Sequence, residues 1–145
     1  MSDEIDVHWS GQLAADGPTL HAALAALGFQ ATILHELREA KGFWPIEISG
    51  LRTGFEVYGF KLGEGCDDAR KVMPGWDGED KTATFRFFGN AEGGAAFAVA
   101  AALAKLGGAR ILDRHAGVDI WASSEEATAK AHRMIALAGQ AGSSK

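Results

Sequence analysis

With a single cysteine, Cys66, the chain can form no internal disulfide, which fits a reducing compartment. Basic residues are also in short supply: 14 Lys and Arg stand against 19 Asp and Glu, a formal net charge of −5. An acidic chain lacks the positive footprint with which proteins hold nucleic-acid backbones. A nucleic-acid partner is therefore not expected, and a basic partner suits the chain better than an acidic one. The most apolar stretch, residues 95–106, is mostly alanine and too short to span a bilayer, so no membrane association is expected. Met1-Ser2-Asp3-Glu4-Ile5-Asp6 is acidic and leads into no hydrophobic stretch. No secretory signal is read there, and the expected location is cytoplasmic.

The motifs of common chemistries are missing too. There is no Gly-x-Gly-x-x-Gly, no Gly-Lys-Ser/Thr, no Gly-x-Ser-x-Gly and no His-x-x-x-His. Each of these would place particular atoms on a phosphate, an acyl group or a metal ion. What the chain does have is the make-up of one globular domain: 145 residues, 47% hydrophobic and 23% charged.

It also contains a faint copy of itself. Ala22-Ala23-Leu24-Ala25-Ala26-Leu27-Gly28 matches Ala101-Ala102-Leu103-Ala104-Lys105-Leu106-Gly107 at six of seven positions. Ala31-Thr32-Ile33-Leu34 matches Ala109-Arg110-Ile111-Leu112 at three of four, 78 residues on. Two pseudo-repeat halves follow, about 4–62 and 81–122, with a C-terminal helix over 124–138 and a frayed tail over 139–145. Each half is too short for an independent core, so the two share one.

Periodicity assigns the elements. Ile5, Val7 and Trp9 alternate with Asp6, His8 and Ser10, a half-buried strand. Pro18 opens a helix whose stripe is Leu20, Ala23, Leu24 and Leu27, and Gly28 stops it. Residues 29–37, 44–49 and 54–62 read as strands, with Lys41-Gly42 and Gly50-Leu51-Arg52-Thr53 as connections. Residues 63–80 form a glycine-rich acidic linker, with a helical turn near 67–72. Residues 82–88 give a fifth strand. Asn90 caps a long helix that ends at Gly107-Gly108. Strands over 110–113 and 118–122 turn at Ala116-Gly117, and Ser123-Ser124-Glu125-Glu126 is a capping box that starts the last helix. The fold class is α+β: a two-layer sandwich, mostly antiparallel sheet with helices on one face, built from pseudo-duplicated β-α-β-β units.

Candidate chemistry is sparse. His35-Glu36 and Asp113-x-His115 occupy similar places in the two copies and would make a metal site if they converged; as polar strand ends in solvent they need no ligand. Gly89-Asn90-Ala91-Glu92-Gly93-Gly94 lies between strand and helix, where phosphate loops occur, but Glu92 puts negative charge where an anion would bind. Turn and capping explain it better. Asp67 and Asp68 oppose a thiolate at Cys66. Glu36, Glu39, Glu47 and Glu56 are not fixed in pairs. No catalytic residue, cofactor or metal is assigned.

The aromatic pattern says more. Phe85 and Phe87 share one face of their strand, with Arg86 and Phe88 on the other. Phe55 and Val57 oppose Glu56, Tyr58 and Phe60. One face must meet the helices. The other holds His8, Glu56, Tyr58, Phe60, Arg86 and Phe88, the aromatic-plus-arginine composition of a binding surface. A strand with aromatics on both faces is equally that of a sheet covered twice, by a second subunit or by the linker around Trp76.

Two resemblances bear on function. Phe85-Arg86-Phe87-Phe88-Gly89, the segment from Ala100 to Gly108, and Ile111-Leu112-Asp113 together resemble about 30 residues common in small bacterial proteins, some of the polymorphic-toxin immunity type. That likeness implies a cytosolic protein that binds a partner and performs no reaction. The β-α-β-β-β order of the first half is similar to the duplicated module of the vicinal-oxygen-chelate group. That likeness implies metal ligands near His8 and Glu56, with Arg86 in the second copy and no counterpart on its last strand, which a helix replaces. The expectation is a non-catalytic protein-binding module, an immunity-type inhibitor among the possibilities. The alternatives are a small-molecule or metal-binding vicinal-oxygen-chelate-like protein and a homodimer-forming structural protein.

Overall fold

Among the described residues, alternating and continuous apolar runs lay down seven strands and three helices. These are β1 (Asp3–Trp9), α1 (Gly17–Ala26), β2 (Ala31–Ile33), β3 (Gly42–Ile48), β4 (Leu51–Leu62), β5 (Lys81–Phe87), α2 (Gly89–Gly107), β6 (Arg110–Asp113), β7 (Ile120–Ala122) and α3 (Ser124–Ser143). The computed structural model describes residues 3–9, 17–35, 37, 42–62, 81–107, 109–114 and 120–143. Of 9, 59–62, 81, 82, 120 and 141–143 it describes the backbone alone. The expected linker 63–80, Cys66, Trp76, Glu36, Glu39, Lys41, His115 and the turn at Ala116-Gly117 lie outside the described residues.

All pairings are antiparallel, in the order β2-β3-β4-β5-β1-β6-β7, and the helices cover one face. The fold is therefore α+β, as the sequence predicts. At every second position β3, β4, β5 and β1 turn one inward set towards the helices, all of it buried: Trp44, Ile46, Ile48, Phe55, Val57, Ala83, Phe85, Phe87, Ile5 and Val7. Trp44, Phe55 and Phe85 make a tilted aromatic chain, with ring centroids 5.4 and 4.7 Å apart. α2 lies over the middle strands, and every side chain from Ala95 to Leu103 is fully buried. A helix apolar all round belongs in the interior, and its alanines let it lie close to the sheet.

Local chemistry sets the boundaries. At the end of α1 the Phe29 N–H donates to the Leu24 carbonyl (2.9 Å) and the Gly28 N–H to the Ala25 carbonyl (3.0 Å). Gly28 itself has φ +91°, completing a Schellman motif. At the start of α3 the Glu126 N–H donates to Ser123 Oγ (3.0 Å) and Ser123 N–H to Glu126 Oε1 (3.2 Å), the reciprocal bonds of the expected capping box.

Several expectations are corrected. The β3–β4 hairpin turns on two residues, Ser49 and Gly50, both with positive φ (49° and 85°), a type I′ turn that matches strand twist. It does not turn on residues 50–53. β2 is only three residues long. α2 starts at Gly89, so Asn90 lies inside it, and Glu92 Oε1 reaches back to accept the Phe88 N–H (3.0 Å). α3 continues past Ala138 to Ser143. Gly93 and Gly94 work in packing more than in a turn. A Cβ on Gly93 would overlap Met134 Cε, and one on Gly94 would stand 2.7 Å from Ile135 Cγ1 and 3.2 Å from its backbone nitrogen. These glycines let α3 lie directly on α2.

The two sequence copies do not form equivalent units. The β1-α1-β2 connection passes three strands to reach the sheet edge, whereas β5-α2-β6 passes one, β1 itself. The shared residues are helix-stripe and strand apolar positions, which serve both paths.

Candidate functional site

On the face opposite the helices, register sorts the outward side chains into rows. One row runs Phe43, Glu56, Arg86, Glu4 across β3, β4, β5 and β1. The Arg114 N–H, donating to the Glu4 carbonyl at 3.1 Å, extends it beyond β6. The next row runs Tyr58, Thr84, Asp6, Leu112, Trp121. His8 lies a further two residues along β1.

The two halves of this face differ. Over β1, β6 and β7 it is closed: Asp6, His8 and Leu112 are 2%, 1% and 0% exposed. Asp6 accepts a hydrogen bond from the Thr84 hydroxyl (2.8 Å) and one from Arg114 Nη1 (3.3 Å). The Trp121 ring meets His8 edge-on, at 5.7 Å between centroids. A buried carboxylate held by an arginine and a hydroxyl is satisfied and structural. His8 thus takes the outward register the sequence predicts, yet it is buried.

Over β3, β4 and β5 the face is open. Phe43, Tyr58 and Phe88 are 56%, 43% and 48% exposed, three of the five large hydrophobics exposed among the described residues. They surround a polar triad: the Tyr58 hydroxyl donates to Glu56 Oε2 (2.7 Å) and accepts from Arg86 Nη1 (3.3 Å). The guanidinium carbon of Arg86 stands 6.0 Å from the centre of the Phe88 ring, at the outer range of a cation–π contact. The Tyr58 hydrogen bond, with the charges of Glu56 and Glu4, holds Arg86 above its ordinary pKa against partial desolvation, so it stays cationic throughout.

Phe43 escapes the sequence reading, which begins the third strand one residue later. Its ring lies over Gly54: a Cβ there would stand 2.6 Å from Phe43 Cζ. The signal was a glycine in a strand opposite a strand-opening Gly42-Phe43, an arrangement in which an aromatic covers bare backbone.

Of the six face residues expected from sequence, Glu56, Tyr58, Arg86 and Phe88 come together. His8 belongs to the closed half, and the Phe60 side chain lies outside the described residues, beyond a register shift between Tyr58 and Lys61. His8 and Glu56 are separated by two strand spacings and four residues, roughly 16 Å, too far to share one ion. His35, just past the end of β2, and Asp113 on β6 are five strand spacings or about 24 Å apart, so these two residues do not converge on one ion. Among the described residues no three His, Cys, Asp or Glu gather as ligands, and no helix is long and apolar enough to cross a membrane. A cleft of about 770 Å³ at the β2 edge, with His21, Gln30, Glu47 and Arg52 in its walls, contains none of the six expected face residues.

No known protein family, curated protein or solved structure matches this chain.

Proposed function

We propose that this chain is a non-catalytic protein-binding module, with an immunity-type inhibitor as one form of it, that engages its partner through the open half of the sheet face. The observation that carries the reading is the grouping of the exposed Phe43, Tyr58 and Phe88 around the Glu56–Tyr58–Arg86 triad, on a face that none of the described helices covers. Aromatics and arginine are the residues that supply most binding energy at interfaces. The triad fixes its own polar groups, so little side-chain freedom is lost on docking. Behind the sheet, α2 packs against β4, β1, β5 and β6.

The test is retention from bacterial lysate at physiological salt on immobilised protein. The wild type and the triple variant Phe43→Ala, Tyr58→Ala, Phe88→Ala are compared. Proteins retained by the wild type and lost from the variant support the reading. Identical retention on both, or none on either together with no self-association of the wild type, contradicts it.

A further inference from the structure

We propose that the occupant of the open half-face is a second copy of this chain, packed face to face about a two-fold axis that runs along the strands between β4 and β5. This rests on the reading of that face as a protein-binding surface, and it names the partner.

Charge is the first argument. Glu56 and Arg86 are directly opposite each other on neighbouring strands. A two-fold axis between them, parallel to the strands, lays each Glu56 over the other copy's Arg86. The pair is its own complement, and like charges are kept apart. Aligned sheets stack about 10 Å apart with their inner side chains interdigitating, within reach of these two long side chains.

The aromatics follow the same operation. Continued one row past Arg86, β5 carries Phe88 beside Gly54 of β4. The two-fold brings each Phe88 onto the Gly54 position of the other copy, where the Phe43 ring lies over bare backbone. An exposed ring thus meets an exposed ring.

Charge balance separates this occupant from others. The chain as a whole carries −5, yet the described side chains of β3, β4 and β5 on the open half-face balance: Glu56 stands with Arg86, and Glu47 pairs with Arg52 at 3.0 Å, with Glu4 of β1 at the edge. A neutral patch on an acidic protein offers no attraction to a polycation or a polyanion. It suits a surface with the same alternation, and its own copy has one. The patch spans three strands, about 14 Å, by seven residues, about 24 Å. That is short of the ~800 Å² per partner of a stable complex, so the association is weak and concentration-dependent.

Sedimentation equilibrium from about 10 µM to about 1 mM tests this on the full chain. The wild type should form dimer across that range. Glu56→Arg leaves four cations around the axis, in two facing pairs, and Arg86→Glu leaves four anions, so each alone should weaken dimerisation by about tenfold or more. Mixed together, the two variants should form a heterodimer of wild-type strength, because each again faces its opposite. The mixture also controls for folding, since a misfolded variant cannot be rescued by its counterpart. A wild type that stays monomeric overturns the proposal, as does a mixture no stronger than the single variants. In either case lysate proteins lost from the triple alanine variant keep the broader reading of the face. Retention unchanged by that variant overturns both.

Discussion

Gly54 joins the fold to the site, and replacing it with alanine is the most searching single change. The added Cβ would overlap the Trp44 carbonyl oxygen and stand 2.6 Å from Phe43 Cζ and 2.8 Å from Cε2. Two effects oppose each other. Removing a glycine from the unfolded chain stabilises by about 0.4–1 kcal/mol where the native conformation accepts the new residue. Overpacking costs about 1–3 kcal/mol. The upper part of that range applies here, because the Trp44 oxygen belongs to backbone paired with β4 opposite Phe55 and cannot swing aside as a side chain would. The net expectation is a loss of about 2 kcal/mol. For a chain of this size that lowers Tm by about 4–8 °C, measured by calorimetry alongside urea denaturation. Phe43→Ala, at a half-exposed ring, should cost under about 1 kcal/mol by itself. In the double variant one of the two clashes is gone, so the combined loss should fall short of the sum by about 0.5–1 kcal/mol. A Gly54→Ala protein as stable as the wild type, or strict additivity in the double variant, would refute the placement of the Phe43 ring on Gly54.

Three further changes probe the parts that hold the face in place. Asp6→Ala should cost about 1–3 kcal/mol in urea denaturation, since it strips a buried carboxylate from Thr84 and Arg114; the one-third exposure of Arg114 limits the loss through water. Ser123→Ala removes the acceptor at the α3 N-terminus and should cost about 1 kcal/mol, with amide exchange rising at Glu126 first. Phe97→Ala empties the centre of α2, where Phe97 packs edge-on with Phe87 at 5.6 Å and beneath Lys130 Nζ at 4.6 Å. A loss of about 3–5 kcal/mol is expected, and one under about 1 kcal/mol would contradict the buried position of this ring.

Local rules were legible where one residue type does one job. Gly28 at the end of α1, the Ser123–Glu126 box, and the division of β4 and β5 into inward and outward sets all follow from spacing alone. The β3–β4 turn did not, because Ser49 adopts the positive φ that asparagine or glycine would have advertised. Gly93 and Gly94 look like a turn in sequence. Only the crossing of α3 over α2, a tertiary fact, gives them another use. The repeat misleads for a related reason: apolar stripes record what is buried and say nothing of how many strands a connection skips. As for the site, alternation places His8 on the outward face, but burial there depends on Trp121 and Leu112, more than 100 residues away in sequence. Phe43 was hidden by the same non-locality, since its role depends on a glycine one strand over.

Amide chemical shifts recorded on dilution from about 1 mM to about 20 µM test the central claim most directly, because every described residue reports on its own surroundings. If the open half-face is the binding surface and a second copy its occupant, the concentration-dependent shifts fall on Phe43, Gly54, Glu56, Tyr58, Arg86 and Phe88 and their strand neighbours. α1, α3 and the closed half around Asp6 and His8 should not move. Shifts concentrated on the helices, or none over that range, would contradict the account.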